Sequence, residues 1–123
     1  MARRTVTVSR SDGCVICTCV LADTALKRLR GLLGRAALPA GEGLLLRPAP
    51  SIHTFFMRFS IDAVFLDGDL RVVAIEPALK PGRMAGRRGA RSVLELAAGE
   101  AARRGVRPGD MLRLAPAGGS ALP

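Results

Sequence analysis

A chain of 123 residues with 49% hydrophobic residues and a net charge of +9 suits one folded domain and excludes global disorder. Its cations are all arginine except Lys27 and Lys80, and such a surplus attracts nucleic acid, acidic proteins or anionic lipid heads. No apolar run reaches the roughly 18 residues of a spanning helix, and three cysteines in an unexported chain do not make a disulfide framework.

Arg3 and Arg4 precede the alternating Thr5-Val6-Thr7-Val8. No apolar core of a secretion signal follows them, so the chain reads as cytoplasmic. Thr5–Ser9 is expected to be a strand, Ser11-Asp12-Gly13 a turn and Cys14–Leu21 the returning strand. Asp23 is a candidate N-cap for a helix over Thr24–Leu33, with Leu26, Leu29 and Leu33 on one apolar face and Gly34 as its stop.

Leu38–Gly43 reads as a loop, and Leu44–Leu46 as a short buried strand ended before Pro48 and Pro50. His53–Met57 and Ile61–Leu66 are expected strands. The Asp67-Gly68 pair, between apolar runs, is the strongest hairpin signal, with Leu70–Ile75 as the return. Asp67-Gly68-Asp69 lacks the further ligands of a calcium loop, which favours the turn. Glu76–Ala90, with KPGRMAGRRGA at its centre, is expected to be a mobile loop. Arg91–Leu96 is a strand, Gly99–Arg104 a helical turn closed by Gly105, Pro108-Gly109 a turn and Met111–Leu114 a last strand. The sum is a mainly β, single-domain antiparallel β-sandwich or small barrel with two short helices. The domain is expected over residues 1–114, with residues 115–123 a flexible tail.

A family resemblance rests on six pieces in order: Arg30-Gly31-Leu32-Leu33-Gly34-Arg35, Glu42-Gly43-Leu44-Leu45, Phe56–Asp62, Phe65-Leu66-Asp67, Val93-Leu94-Glu95-Leu96 with Gly99, and Gly109-Asp110. In this order, over roughly Leu21–Leu114, they resemble the DUF192 family of small bacterial and archaeal proteins. The resemblance implies a compact β-sandwich-like domain and no assigned activity. Many members carry Met at the positions of Leu33 and Leu45, and Trp and Lys near those of Phe56 and Arg58. These differences keep bulk and charge.

The residues that invite chemistry cluster around the single histidine. Ser51–Asp69 holds His53 and all four phenylalanines, Phe55, Phe56, Phe59 and Phe65, in a chain without Trp or Tyr. His53, Phe56, Arg58, Asp62 and Glu95 form the candidate pocket. Asp62 and Glu95 each interrupt an apolar run, and a buried carboxylate must find a partner or a hydrogen bond. Arg58, four residues upstream, is a candidate clamp for Asp62. The bland alternative is that both carboxylates hold loops in place.

Lys80, Arg83, Arg87, Arg88 and Arg91 form a candidate anion-binding loop with no acid between them. The phenylalanines do not interleave with these cations, so the sequence does not indicate a stacking platform for single strands. Cys14, Cys17 and Cys19 have no second cluster to complete a zinc site. No metal or other cofactor is therefore expected, and on a strand Cys17 and Cys19 share a face that Cys14 does not.

Three functions follow. The leading one is a non-enzymatic module that binds an unknown protein or small ligand, since no nucleophile elbow, metal cluster or phosphate loop is present. The second is a small enzyme using His53 with Asp62 or Glu95 as acid and base. The third is non-specific anion or nucleic-acid binding through the Arg-rich loop.

Overall fold

The computed structural model describes residues 4–22 and 36–117. Its elements are β1 (Thr5–Arg10), β2 (Val15–Ala22), β3 (Glu42–Leu46), β4 (Ser51–His53), β5 (Ile61–Leu66), β6 (Val72–Leu79), β7 (Met84–Gly86), β8 (Ser92–Ala97), α1 (Glu100–Arg103) and β9 (Leu112–Pro116). The expected helix over Thr24–Leu33, its cap Asp23 and its stop Gly34 lie outside the described residues.

Seven strands form one sheet in the order β6-β5-β8-β3-β2-β1-β9, and β4 and β7 form a separate ribbon. The sheet is mixed. β2 and β3 run parallel, with Thr18 opposite Glu42 and Ala22 opposite Leu46. This corrects the all-antiparallel expectation. A parallel pair needs a long crossover rather than a tight turn, and residues 23–41 provide its length. The edges of the sheet approach each other through an antiparallel bridge between Arg71 and Met111. There the Val72 N–H donates to the Asp110 carbonyl at 2.8 Å, and the Leu112 N–H to the Leu70 carbonyl at 3.0 Å.

The central strands β3, β5 and β8 are apolar almost throughout because both their faces are covered. On one face Leu45, Val64, Leu66, Leu94 and Leu96 pack with Val8, Ile16, Cys17 and Cys19. On the other, Leu44, Leu46, Ala63, Phe65 and Val93 pack with Ile52, Met57 and Ala90. Burying a side chain such as Phe65, which is fully inaccessible, contributes about 1.5–3 kcal/mol.

Two expectations about loops are corrected. His53–Met57 is not a strand. β4 ends at His53, and Phe56 has φ 67°, a left-handed conformation that an extended strand does not contain. Glu76–Ala90 is not one continuous loop either. β6 runs on to Leu79 and β7 pairs with β4, so Ser51 faces Gly86 and His53 faces Met84. That partner lies some thirty residues away in sequence, so local pattern does not announce the pairing. β9 also extends to Pro116, two residues beyond the expected strand end.

α1 is a single turn held at both ends. Gly99 caps it with φ 91°, a conformation that glycine adopts at no steric cost. At the other end the Arg10 Nη1 group donates to the carbonyls of Arg104 (3.1 Å) and Gly105 (2.9 Å). Those carbonyls belong to a helix end with no further turn to receive them.

Gly43 explains one piece of the motif series. A Cβ there would meet the Glu95 carbonyl at 3.0 Å, Leu96 Cδ2 at 3.1 Å and Cys17 Sγ at 3.2 Å. Overpacking of this kind costs about 1–3 kcal/mol. Gly43→Ala is expected to lower stability by that amount, read as an earlier urea midpoint with an unchanged slope.

Candidate functional site

The candidate residues divide into two buried carboxylates and an exposed turn. Asp62 is 1% exposed and accepts three backbone hydrogen bonds. Its Oδ1 takes the Ala78 N–H at 2.9 Å, and its Oδ2 takes the N–H groups of Gly99 (3.1 Å) and Ala101 (2.9 Å). The carboxylate thus ties the end of β6 and the start of α1 to β5. Arg58 is exposed, and its side chain makes no hydrogen bond among the described residues.

Glu95 lies on the opposite face. In the β5–β8 ladder Asp62 is opposite Leu96, whereas Glu95 is opposite Ala63, and residues opposite each other point to the same side. Glu95 is 3% exposed, and no described residue donates to its carboxylate. Burial pushes its carboxyl up from the ordinary 4.5 to about 8, because a low-dielectric surrounding disfavours the charged form. The sheet therefore separates the two carboxylates, and no hydrogen bond joins His53 to either of them among the described residues.

His53 belongs to the ribbon and is exposed. Its Nδ1 accepts the Phe55 N–H at 3.3 Å, and its ring stacks on Phe55 with centroids 5.2 Å apart. The turn that follows hangs on Thr54, a fully buried residue that sequence reasoning missed. The Thr54 hydroxyl donates to the Lys80 carbonyl at 2.6 Å and accepts the Arg83 N–H at 2.9 Å. Its backbone N–H donates to the Arg83 carbonyl at 2.8 Å, and its carbonyl accepts the Gly82 N–H at 2.9 Å. Nothing local marks Thr54, because its partners lie more than 25 residues downstream.

These bonds bring the aromatic stretch and the Arg-rich loop together. Phe56 is 87% exposed and Met84, opposite His53, is 72% exposed. In the sequence Met84 stands only within an Arg-rich loop, and nothing local marks it. The five basic candidates have different surroundings. Arg87 pairs with Glu76 at 3.0 Å and lies over the Phe65 ring at 5.4 Å. The exposed side chains of Lys80, Arg83 and Arg88 make no hydrogen bond or ion pair among the described residues. Arg91 leaves the group altogether and stands at the start of β8, beside the Asp67-Gly68 turn.

Cys17 and Cys19 share one buried face, while Cys14 is exposed before β2; all three are free thiols. The Cys19 thiol is held above its ordinary range by its hydrogen bond with Cys17 and by burial. Among the described residues no group of three His, Cys, Asp or Glu side chains could hold a metal ion. Nor is any helix there long and apolar enough to cross a membrane. Glu100, 3% exposed, is a buried acid missed at the sequence level; it pairs with Arg103 and, at 3.3 Å, with Arg104.

A mainly β protein on a mixed sheet, with an exposed aromatic turn beside a basic loop, is the class that these features define. The chain belongs to the DUF192 family, described as "Uncharacterized ACR", whose model matches residues 6–114. A UPF0127 protein of Pyrococcus horikoshii is 45% identical over 67 residues, covering 52% of this chain and 57% of that protein. A UPF0127 protein of Thermococcus kodakarensis is 36% identical over 104 residues, covering 78% of this chain and 64% of that protein. The chain thus spans less than two thirds of the length of these relatives. Among solved structures, a protein of unknown function from Novosphingobium aromaticivorans superposes with a TM-score of 0.78 at 28% identity, over 90% of this chain and 84% of that one. A proposed transcription regulator from Sinorhizobium meliloti superposes with a TM-score of 0.79 at 26% identity, over 92% and 94%.

Two outcomes follow for the carboxylates. Asp62→Ala leaves three backbone N–H groups without their acceptor and is expected to cost about 3 kcal/mol or more, measured by urea unfolding. Glu95 gives a pH dependence. The folded form keeps its proton up to about pH 8, while the unfolded chain releases it near the ordinary 4.5. Over that interval the unfolded state binds fewer protons, so the Glu95 contribution falls as pH rises from about 5 to about 8. Glu95→Gln is expected to flatten the decline in unfolding free energy across that window and to be more stable than the parent at pH 8.

Proposed function

We propose that this protein is a non-enzymatic binding module that docks onto an acidic partner protein through the turn 54–57 and the adjoining loop 80–86. The observation that carries the reading is Phe56, an 87% exposed aromatic side chain on a backbone with φ 67°. A bulky residue in that conformation is strained, and such strain persists where surrounding bonds over-determine it. Here the Thr54 bonds supply that constraint. Exposed aromatic and methionine side chains are the usual anchors of protein interfaces. The adjoining Arg58, Lys80 and Arg83 favour a partner of opposite charge and speed its encounter.

The pocket of His53, Phe56, Arg58, Asp62 and Glu95 enters this reading in a reduced form. His53, Phe56 and Arg58 belong to the contact surface, and Asp62 supports the fold behind it. An acid–base enzyme using His53 with Asp62 or Glu95 gains no support, because no hydrogen bond joins the exposed His53 to either carboxylate among the described residues.

A second reading, binding of single-stranded nucleic acid, draws support from the same juxtaposition. The ribbon brings aromatic rings beside cations that the sequence keeps apart, and stacking plus phosphate attraction is how single strands are held. The Sinorhizobium meliloti neighbour, described as a proposed transcription regulator, agrees with it.

A photo-cross-linking phenylalanine analogue at position 56, introduced in cells of the source organism, tests the first reading. The expected result is one acidic protein captured from position 56 and not from Val73, the control on β6. Binding of the purified pair should weaken about thirtyfold in Phe56→Ala, the loss typical of an interface hot spot. Equal capture from both positions would end the reading. Fluorescence anisotropy with a labelled single-stranded oligonucleotide tests the second. That reading requires affinity that falls steeply with salt and that also drops in Phe56→Ala.

A further inference from the structure

We infer that the partner contributes an extended acidic segment, which adds as a strand to the free edge of β7. The inference rests on the docking reading above and names the form in which the partner is held.

The ladder of the ribbon fixes which backbone groups are free. The Thr54 N–H donates to the Arg83 carbonyl at 2.8 Å, and the Arg87 N–H to the Pro50 carbonyl at 3.3 Å. Between them Met84, Ala85 and Gly86 stand opposite His53, Ile52 and Ser51. In an antiparallel pair alternate residues turn their backbone groups toward the neighbouring strand. Arg83, Ala85 and Arg87 therefore turn toward β4, and Met84 and Gly86 turn away from it. The Gly86 carbonyl takes the Arg87 Nη1 group at 2.9 Å. The N–H and carbonyl of Met84 and the N–H of Gly86 make no hydrogen bond among the described residues. β4 lies beside β8, whereas Met84 and Gly86 are exposed.

Proteins blunt their unpaired edges against chance pairing, and the large sheet follows that rule. β6 carries Pro77 and then Ala78 at φ 48°, with the Ala78 N–H given to Asp62. β9 is bridged at its start, where Met111 pairs with Arg71, and ends on Pro116. β7 has neither proline nor bulge. Ile52 and Ala85 pack one face of the ribbon on the core, which orders the edge before any partner arrives.

Charge selects the occupant. Arg83 immediately precedes β7, Arg88 follows it by two residues, and Lys80 opens the loop. All three are exposed and have no ion pair among the described residues. Residues 77–91 contain no acid to neutralise them. An added strand gains affinity from its main-chain hydrogen bonds and specificity from alternate side chains. Here those side chains are carboxylates for the cations and an apolar group for Met84, which is 72% exposed.

The test is amide NMR of the full chain at low salt, titrated with an end-blocked pentapeptide of alternating glutamate and valine. A second peptide, N-methylated at every residue, keeps the charge and side chains but cannot pair along either edge. The expected result is saturable shifts and slowed solvent exchange at the Met84 and Gly86 amides, with binding about tenfold weaker for the methylated peptide. A lysine–valine peptide is expected not to bind. Met84→Pro removes an outward N–H at a position where an edge strand tolerates proline. It is expected to bind the acidic peptide about tenfold more weakly than Met84→Ala, which loses the side chain alone. Urea midpoints show whether both variants are folded, and the methylated peptide decides the matter on the parent chain if Met84→Pro is not. No saturable shift with the acidic peptide, or equal binding of its methylated form, would overturn the inference. Either result leaves the docking reading to its own test, the cross-linking at position 56.

Discussion

The fold depends on where one negative charge goes. Asp62 is the second residue of β5, a strand whose six residues are all buried. A carboxylate there is tolerable only because three backbone N–H groups surround it. Those donors come from two segments, the end of β6 and the turn into α1. One side chain therefore sets the path of both segments against the sheet. With α1 anchored by Asp62 at its start and by Arg10 at its end, a single helical turn, far too short to persist alone, keeps a defined position.

The other buried polar groups show how differently similar residues serve. Thr54 is fully satisfied, and its bonds hold the aromatic turn against residues 80–83. Glu100 is satisfied by two arginines on its own helical turn. Glu95 alone meets its burial by keeping its proton. The Thr54 bonds offset the conformational entropy lost in ordering the turn that follows it. The turn can accordingly hold Phe56 in a conformation that an unsupported chain would leave.

Charge is sorted with the same economy. The arginines that look alike in sequence occupy three situations: structural, as Arg10 and Arg87 are; around the aromatic turn, as Arg58 and Arg83 are; and at the sheet end, as Arg4, Arg47 and Arg91 are. A composition rich in arginine accounts for the net charge. It does not account for this distribution, which follows from which strand ends lie side by side.

Much of the architecture was legible along the chain. The apolar runs of β3, β5 and β8 announced buried strands, the Asp67-Gly68 pair announced its hairpin, and six short motifs in order pointed to the DUF192 family to which the chain belongs. Asp62 and Glu95 also declared themselves, as charges inside apolar runs. These features are local, and local sterics and hydrophobic pattern determine them. Only the tertiary structure decided that β2 and β3 run parallel, that β4 pairs with β7, and that Asp62 and Glu95 face opposite sides of the sheet. It also decided that Phe56 stands beside the basic loop and that Arg91 stands apart from it. Each of these depends on pairing between segments distant in sequence, where the hydrogen bonds and burial that select one partner over another do not exist until the chain has folded.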